Sequence, residues 1–408
     1  MGWNSWDCYG TSVTEAEVLA NAEFMARRLL PYGWDTVVVD IQWHDPTARA
    51  GGYNENAPLS LDGYGRPYPS SERFPSGFSS LAERIHGLGL RFGLHIMRGI
   101  PRLAVDRELP VLNTSFTAAD VADRSSVCPW NTDNYGLDLG HPGAQAYYDS
   151  LGRLFAEWGV DFVKADDMGD HKFQPAEIAA LRRALDRTGR PIVLSISPGP
   201  ARLAEAAFFA RHAQLWRISD DFWDDWRLVR KQFDYARDWA PHVGVGGGWP
   251  DADMLPFGRL RITDAAGRGT PSRLTPDEQR TVMTLWSVFR SPLIMGGDLP
   301  TMDARTRALL TNPEVLAVNQ HGRAPRQVLE RPGLRVWRSE APGGADRYVA
   351  VFNLDTVPQR VDLAWADVGL PAGAKRVRDL WDRRELGTTN RLRVELAPHA
   401  SALYRVRR

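Results

Sequence analysis

Short apolar, β-branched runs alternate with helical periods over about the first three quarters of the chain. The runs that predict strands are TVVVDIQW at residues 36–43, RFGLHIM at 91–97, DFVKADD at 161–167, PIVLSIS at 191–197, LWRIS at 215–219 and PLIMGGD at 292–298. Residues 2–6 and the stretch around 253–255 bring the number of predicted strands to eight. The amphipathic segments between them include 13–30, 143–158, 176–188 and 275–289. Continuous apolar strands separated by helices indicate a parallel sheet covered on both faces. Eight such units predict an α/β fold, the (β/α)8 TIM barrel.

The pattern changes near residue 320. From residue 326 onward, short alternating runs such as LRVWRSE and RYVAVFNL are broken by turn residues, and no long helical period remains. This pattern is typical of an antiparallel β-sandwich. We therefore expect a catalytic or binding barrel over residues 1–322 and a C-terminal antiparallel β-sandwich over residues 326–408.

Composition and charge exclude several classes of partner. Lys+Arg and Asp+Glu both number 50, so no net charge attracts nucleic acid or an anionic membrane. No run of about 18 apolar residues predicts a membrane span. The first residues show no basic-then-apolar signal region, so a cytoplasmic location is the expectation, with secretion the alternative if an upstream signal has been removed. Self-association into a homo-oligomer is left open. The 15 tryptophans are compatible with a carbohydrate ligand, since aromatic faces suit the apolar faces of sugars, but core packing is the more common role of tryptophan.

The chain has two cysteines, Cys8 and Cys128, which cannot form a disulfide framework. Neither stands in a Cys/His spacing typical of a metal site. Cys128 has no evident histidine partner in the sequence, so we expect it to be a buried, inert thiol.

Carboxylates follow several of the predicted strands, where a TIM barrel carries its functional residues. Asp40 follows TVVV, and Asp166 ends a strand in which Lys164, two residues earlier, shares its face. Acids from four predicted strand ends should therefore converge on one mouth of the barrel. The remaining acids of this group are Asp167, Asp220, Asp221, Asp251 and Asp253, and Arg217 lies in the strand that precedes Asp220.

Two chemistries use such a charged mouth, and the residues alone leave both open. In glycoside hydrolysis one carboxylate attacks the anomeric carbon while another donates a proton to the leaving oxygen. A divalent-metal site is the alternative. Its ligands would be Asp166, Asp167, Asp170 and His171. Asp favours N-cap positions, so capping of the following helices is the alternative role for some of these acids, above all Asp167 and Asp220. A sugar-binding protein without turnover is a further alternative, because binding needs the pocket but not the carboxylate pair.

Six motifs in order resemble those of glycoside hydrolase family 27, the α-galactosidase family of retaining glycosidases. They are MGWNSWDCYG, VKADD, WRISDD, GGWPDADML, LWSVFRSPLIMGGDLP and NPEVLAVNQ. The matches run from residue 1 to about 320, and the sandwich tail also fits the family. The family's members need no metal, so the resemblance implies that no cofactor is required and disfavours the metal alternative.

The resemblance also implies roles for the acids. The family's K-x-D motif falls on Lys164 to Asp166, which makes Asp166 the expected nucleophile and Lys164 a donor to sugar hydroxyls. Its W-R-x-x-x-D motif makes Asp221 the expected acid/base, with Arg217 supplying positive charge near the sugar. Asp220 is the competing candidate for the acid/base.

Further residues match sugar-binding positions of the family. Trp6 matches a stacking tryptophan of the first strand, and Asp40 matches an acid that binds a sugar hydroxyl. Asp253 and Met254 match a pair near the acid/base. Trp130, on the loop expected after the third strand, is a further substrate-binding candidate.

Three positions depart from typical α-galactosidases. The second strand usually ends in two acids, which hold the 4- and 6-hydroxyls, but the second of them is Ile41 here. A common third-strand aromatic is replaced by His95. Ser197 stands where an acid helps read the 2-hydroxyl, and relatives that accept 2-acetamido sugars also have a small polar residue there.

These departures predict an order of preference among three substrates. Ile41 offers no hydrogen bond and would fill the space of a hydroxymethyl group. A β-L-arabinopyranoside, which lacks that group, is therefore expected first, an α-D-galactoside second and a 2-acetamido galactoside third. The alternative is that Ile41 points into the barrel core while His95 or Arg98 serves the 6-hydroxyl, because adjacent strand residues face opposite sides.

Overall fold

The computed structural model describes residues 1–49, 52–169, 173–263 and 268–407. The chain divides into two compact units, each assembled from three stretches. The first unit comprises Met1–Asp220, Gly258–Pro271 and Ile294–Met302. The second comprises Asp221–Phe257, Ser272–Leu293 and Asp303–Arg408. The boundary between barrel and sandwich that the sequence predicts at residues 322–326 stays a prediction.

Parallel strands form the centre of the first unit. In chain order they are β1 (Gly2–Asn4), β2 (Thr36–Val39), β3 (Arg91–Met97), β4 (Phe162–Asp166), β5 (Val193–Ile196), β6 (Leu215–Arg217) and β8 (Ile294–Met295). They run side by side in the order β6-β5-β4-β3-β2-β1-β8, and every adjacent pair is parallel. Strand β7 (Trp249–Asp251) belongs to the second unit and completes the count of eight. The predicted (β/α)8 barrel is confirmed.

Among the described residues, the helices of seven residues or more are α1 (Glu15–Arg28), α2 (Gly77–Gly87), α3 (Pro142–Glu157), α4 (Pro175–Arg187), α5 (Ala206–His212), α6 (Trp226–Trp239), α7 (Pro276–Phe289), α8 (Ala304–Leu310) and α9 (Pro313–His321). Bounds were predicted for four of them, and these four, α1, α3, α4 and α7, begin and end within two residues of those bounds. Capping boxes start two of them, with Thr14 and Glu17 at α1 and Thr275 and Glu278 at α7. No helix of the described residues is long and apolar enough to cross a membrane.

Except for the run at 91–97, the predicted strands were too long at their carboxyl ends. The strand predicted at 36–43 stops at Val39, and the one predicted at 215–219 stops at Arg217. The strand expected around 253–255 was wrong, because the extended segment is Trp249–Asp251. In each case the residues that follow the strand leave the sheet and form the loop that carries the candidate site.

The C-terminal part of the second unit is the predicted antiparallel β-sandwich. Its strands are β9 (Arg323–Arg331), β10 (Leu334–Glu340), β11 (Arg347–Asn353), β12 (Gln359–Ala364), β13 (Lys375–Asp379), β14 (Arg384–Thr389), β15 (Arg391–Leu396) and β16 (Ser401–Arg407). Six of them form one sheet in the order β9-β10-β11-β16-β13-β14, and β12 pairs with β15. Val349 and Val377 of the larger sheet and Leu363 and Leu392 of the smaller one share a core.

Candidate active site

Asp166 lies at the carboxyl end of β4 and is buried. Its Oδ2 is 2.9 Å from His95 Nε2, and the Ser197 hydroxyl donates to Oδ1. Burial by itself would raise the pKa of this carboxyl, but His95, the charge of Lys164 and the Ser197 hydroxyl together hold it well below its usual range. Asp166 is therefore ionised at neutral pH, the state that a carboxylate nucleophile requires.

Lys164, which is partly buried, forms an ion pair with the buried Asp40 beside Asp166. Lys164 Nζ lies 2.9 Å from Asp40 Oδ2, which also accepts a hydrogen bond of 2.7 Å from Asn4 Nδ2. Burial lowers the pKa of Lys164, but the Asp40 and Asp166 carboxylates outweigh burial and raise it above its usual range. Burial likewise opposes ionisation of Asp40, whose pKa is nevertheless lowered by Lys164 and His95. The two acids and the ammonium thus remain charged at neutral pH.

Ile41 follows Asp40 directly and lies in an apolar cluster. Only 1% of its surface is exposed, and it packs with Met97 and Cys128. Cys128 is buried, and burial raises the pKa of its thiol to about 12, so it is inert as expected. Ile41, Met97 and Cys128 thus place hydrocarbon and sulfur in the chain segment next to Asp40.

Three aromatic rings cover this cluster. Trp6 stacks on Tyr53 with 5.5 Å between ring centroids and 18° between planes, and Tyr53 meets Trp130 at 5.5 Å. All three pack against the cluster of Ile41 and remain partly exposed. The two tryptophans singled out from the sequence thus lie close together, joined by Tyr53. Tyr53 was missed because it stands in a polar loop after β2 without any periodic signal.

A second buried network surrounds Arg98. Its Nη2 lies 2.7 Å from Asp167 Oδ2 and its Nη1 lies 2.6 Å from Glu177 Oε1, while Nε donates to the Asp167 carbonyl at 3.0 Å. Tyr148 donates to the other oxygen of Glu177 at 2.6 Å. Asp167, immediately after Asp166, has a left-handed φ of 62°. The guanidinium thus holds the turn that follows the candidate nucleophile.

A third network joins the loops after β2 and β3. Asp133 accepts from Gln42 Nε2 at 2.9 and 3.0 Å, and His44 Nε2 lies 3.4 Å away. Burial would raise the pKa of Asp133, but these contacts hold it below its usual value. The network anchors the segments that carry Ile41 and Trp130. Sequence analysis missed it, since no local pattern links residues 91 positions apart.

Arg217 ends β6 in the first unit, is buried, and donates from Nη2 to the Ser219 carbonyl at 3.4 Å. Its neighbour along the chain, Asp220, is exposed and is the last residue of that stretch of the unit. Asp221, also exposed, is the first residue of the second unit. The two acid/base candidates therefore stand at the start of the loop after β6.

Asp253 and Met254 are buried in the second unit. Asp253 Oδ2 accepts a hydrogen bond of 2.7 Å from the backbone N–H of Phe222, the residue after Asp221. Trp286 Nε1 donates to the Asp253 carbonyl at 2.9 Å. Asp253 thus fixes the backbone next to Asp221, a role that the sequence match did not specify.

Two residues of the metal alternative, Asp170 and His171, lie outside the described residues. Within the described ranges, no group of three or more His, Cys, Asp and Glu side chains is arranged to hold a metal ion.

Comparison with known proteins agrees with the fold and the motifs. Residues 132–321 match a family model described as alpha galactosidase A. Residues 332–406 match the alpha galactosidase C-terminal beta sandwich domain.

Solved structures and curated relatives give the same family. A β-L-arabinopyranosidase of glycoside hydrolase family 27 from Geobacillus stearothermophilus is 50% identical with a TM-score of 0.97, over 100% of this chain and 96% of that one. A putative α-N-acetylgalactosaminidase from Bacillus halodurans is 44% identical with a TM-score of 0.89, over the same shares. An α-galactosidase from Cyamopsis tetragonoloba is 27% identical over 99% of this chain and 85% of its own length. The chain therefore belongs to glycoside hydrolase family 27, the α-galactosidase family of glycosidases.

Proposed function

We propose that the protein is a retaining exo-glycosidase that removes terminal β-L-arabinopyranosyl residues, with Asp166 as nucleophile and Asp221 as acid/base. The observation that carries the choice of sugar is the apolar surrounding of Ile41, directly beside the charged Asp40. The choice is further supported by the relative that shares half of its residues with this chain and is named a β-L-arabinopyranosidase.

In the first step Asp166 attacks the anomeric carbon and forms a glycosyl-enzyme ester. Ionisation of Asp166 makes its oxygen nucleophilic, and the contacts from His95 and Ser197 fix the direction of the carboxylate. Because an ionised carboxylate only accepts hydrogen bonds, His95 Nε2 carries the hydrogen in this pair. Lys164 and Arg217 supply the positive charge that offsets the negative charge of the site.

In the same step Asp221 protonates the glycosidic oxygen, and in the second step it takes a proton from the water that cleaves the ester. The bond from the Phe222 N–H to Asp253 supports this assignment, since it holds the chain immediately after Asp221. Asp253 and Met254 then act by positioning the acid/base loop. Retention of configuration follows from two successive displacements at the same carbon.

The sugar ring is bound by the charged pair on one side and by the aromatic rings on the other. Asp40 and Lys164 bind the hydroxyl on C4, and Trp6 with Trp130 provides apolar surface for the ring. β-L-Arabinopyranose has the ring and hydroxyl arrangement of α-D-galactose through C4 but carries no hydroxymethyl group on C5. A buried hydroxyl without a partner costs about 1–3 kcal/mol, or roughly ten- to a hundredfold in specificity.

Of the alternative groups for a 6-hydroxyl, Arg98 is fully engaged and His95 is engaged through one of its two ring nitrogens. The guanidinium of Arg98 donates to Asp167, Glu177 and Ser126. His95 Nε2 contacts Asp166, while its Nδ1 is buried and has no hydrogen-bond partner among the described residues. Neither observation favours a galactoside, which stays the second candidate because curated relatives carry the name α-galactosidase.

The 2-acetamido galactoside is the third candidate, supported by the name of the relative from Bacillus halodurans. Against it, the hydroxyl of Ser197 donates to Asp166 and is thereby committed to the nucleophile.

The test is a panel of nitrophenyl glycosides hydrolysed by the purified full-length chain. We expect a higher kcat/KM for the β-L-arabinopyranoside than for the α-D-galactoside. Ile41→Asp should narrow or reverse this ratio, while the matched control Ile41→Val should leave the order unchanged. A wild-type enzyme that prefers the galactoside would make α-galactosidase the function without altering the catalytic residues.

A further inference from the structure

One end of the larger sandwich sheet contains a cavity of about 210 Å³ whose lining includes four cationic side chains and no acid. The cations are Arg338, Arg347, Lys375 and Arg407. They come from β10, β11, β13 and β16, which are four successive strands of the sheet. We call this set the cationic pocket. It lies entirely in the second unit, and no role in glycoside cleavage has been given to it.

Lys375 is the unusual member of the cationic pocket. It is 7% exposed and lies on the same face of β13 as Val377, which belongs to the sandwich core. Among the residues that the structure describes, none forms a hydrogen bond or an ion pair with its ammonium group. Its ammonium nitrogen is not among the buried side-chain atoms that lack a partner, so the stem of the side chain is buried while the charged end is open to the pocket. The ammonium group is therefore available to an anion in the pocket.

Arg338 is held so that its charge remains at the pocket. It is buried, and its Nη1 donates to the carbonyls of Gly369 and Val368. Gly369 has a left-handed φ of 71°, and a Cβ there would lie 2.7 Å from the guanidinium nitrogen. The glycine thus leaves room for the guanidinium, which contacts neutral carbonyls and keeps its full positive charge.

The other two arginines are only partly neutralised. Arg347 Nη2 lies 3.5 Å from Glu340, and Arg407 Nε lies 3.5 Å from Asp346. Asp346 makes its shorter contact, 2.6 Å, with Arg405 rather than with the pocket. Four cations thus face at most two partial counter-charges, so the cationic pocket keeps a net positive charge.

We propose that the cationic pocket binds a compact oxyanion, either free phosphate or the carboxylate of an acidic sugar. Guanidinium groups bind such oxyanions in a two-pronged geometry, and an ammonium group adds a point charge. The cavity of about 210 Å³ has the volume of several water molecules, at about 30 Å³ each, and therefore has room for one oxyanion or one acidic sugar ring. Anion binding by the cationic pocket does not depend on which sugar the barrel cleaves.

The test is calorimetric titration of the full-length protein with sodium phosphate and with sodium glucuronate, in chloride buffer of matched ionic strength. Thermal unfolding is followed in the same buffers. We expect saturable binding of at least one of the two anions and a rise in Tm that chloride does not give. Tighter binding of glucuronate would identify an acidic sugar as the ligand, whereas binding of phosphate alone would identify a free oxyanion.

Two lysine variants separate the cationic pocket from general charge effects. Lys375→Met should weaken anion binding at least tenfold, since a charge-assisted contact is lost. It should leave Tm in chloride unchanged or higher, because one of four clustered positive charges is removed. Lys231→Met, at an exposed position of α6 in the same unit, should bind as the wild type does. Arg407→Gln, at a half-exposed position, should also weaken binding.

Absence of saturable binding by both anions would overturn the proposal. So would anion binding that Lys375→Met leaves intact. A fall in Tm of Lys375→Met in chloride would show instead that the lysine is a structural residue.

Discussion

Replacing Arg98 by Met tests whether one guanidinium holds the turn behind the candidate nucleophile. Arg98 is 3% exposed and pairs with two carboxylates, Asp167 and Glu177, whose side chains are equally buried. Methionine fills a similar volume but leaves both carboxylates without their cation. The variant therefore isolates the charge from the packing.

The expected loss follows from the burial of both partners. Removing one member of a buried ion pair typically costs about 3–5 kcal/mol, because the remaining charge is stranded away from water. At about 2–4 °C per kcal/mol for a unit of this size, Tm should fall by roughly 6–20 °C. Arg98→Lys keeps the charge but not the two-pronged contact, so its Tm should lie between the Tm of Arg98→Met and that of the wild type.

The assay is thermal and urea unfolding of the full-length chain at neutral pH. The matched control is Arg360→Met, whose side chain is 87% exposed and 3.4 Å from Glu395, a surface pair worth about 1 kcal/mol at most. Adding Glu177→Gln to Arg98→Met should restore part of the stability, since one stranded charge is removed. If Arg98→Met is no less stable than Arg360→Met, the two carboxylates do not depend on Arg98 and the reasoning is wrong.

Three further predictions concern catalysis and the sandwich. Asp221→Asn should slow the hydrolysis of substrates with poor leaving groups far more than that of activated nitrophenyl substrates, because only the former need the acid. The same pattern in Asp220→Asn would make Asp220 the acid/base instead. His95→Phe should raise the pKa of Asp166, which His95 lowers, so the acid limb of the kcat/KM profile should shift to higher pH; an unshifted limb would contradict this. Deleting residues 326–408 should cause aggregation, because α7 packs on the sandwich through contacts such as the 2.7 Å bond from Thr281 to the His399 carbonyl. A soluble and fully active truncated chain would refute that support.

Much of the barrel could be predicted because its signals are local. The run at 91–97 forms β3 with the predicted bounds, and α7 begins within one residue of its predicted start because Thr275 and Glu278 form a capping box. The carboxyl ends of the strands are harder, since apolar residues continue into the loops. The sequence pattern places Ile41 in a strand, but the strand ends at Val39 and Ile41 packs in the apolar cluster beside the candidate site.

The supporting contacts of the site could not be predicted, because they join distant parts of the chain. Asp133 meets Gln42 across 91 residues, and Arg98 meets Glu177 across 79. Polar residues in loops carry no periodic pattern, so only the folded chain shows which of them pair. Tyr53 was missed for the same reason. The catalytic candidates Asp166 and Asp221 were singled out only because they fall in recognisable motifs at strand ends.

The central claim is that the ionised carboxylate of Asp166 forms a covalent bond to the sugar. The most direct measurement uses the Asp221→Ala variant, in which the second step lacks its base, mixed with an activated nitrophenyl β-L-arabinopyranoside and quenched in acid. Mass spectrometry of the digested protein should then locate a pentosyl group on the peptide that contains Asp166. A pentosyl group on another carboxylate, or release of sugar with inverted configuration and no adduct, would contradict the account.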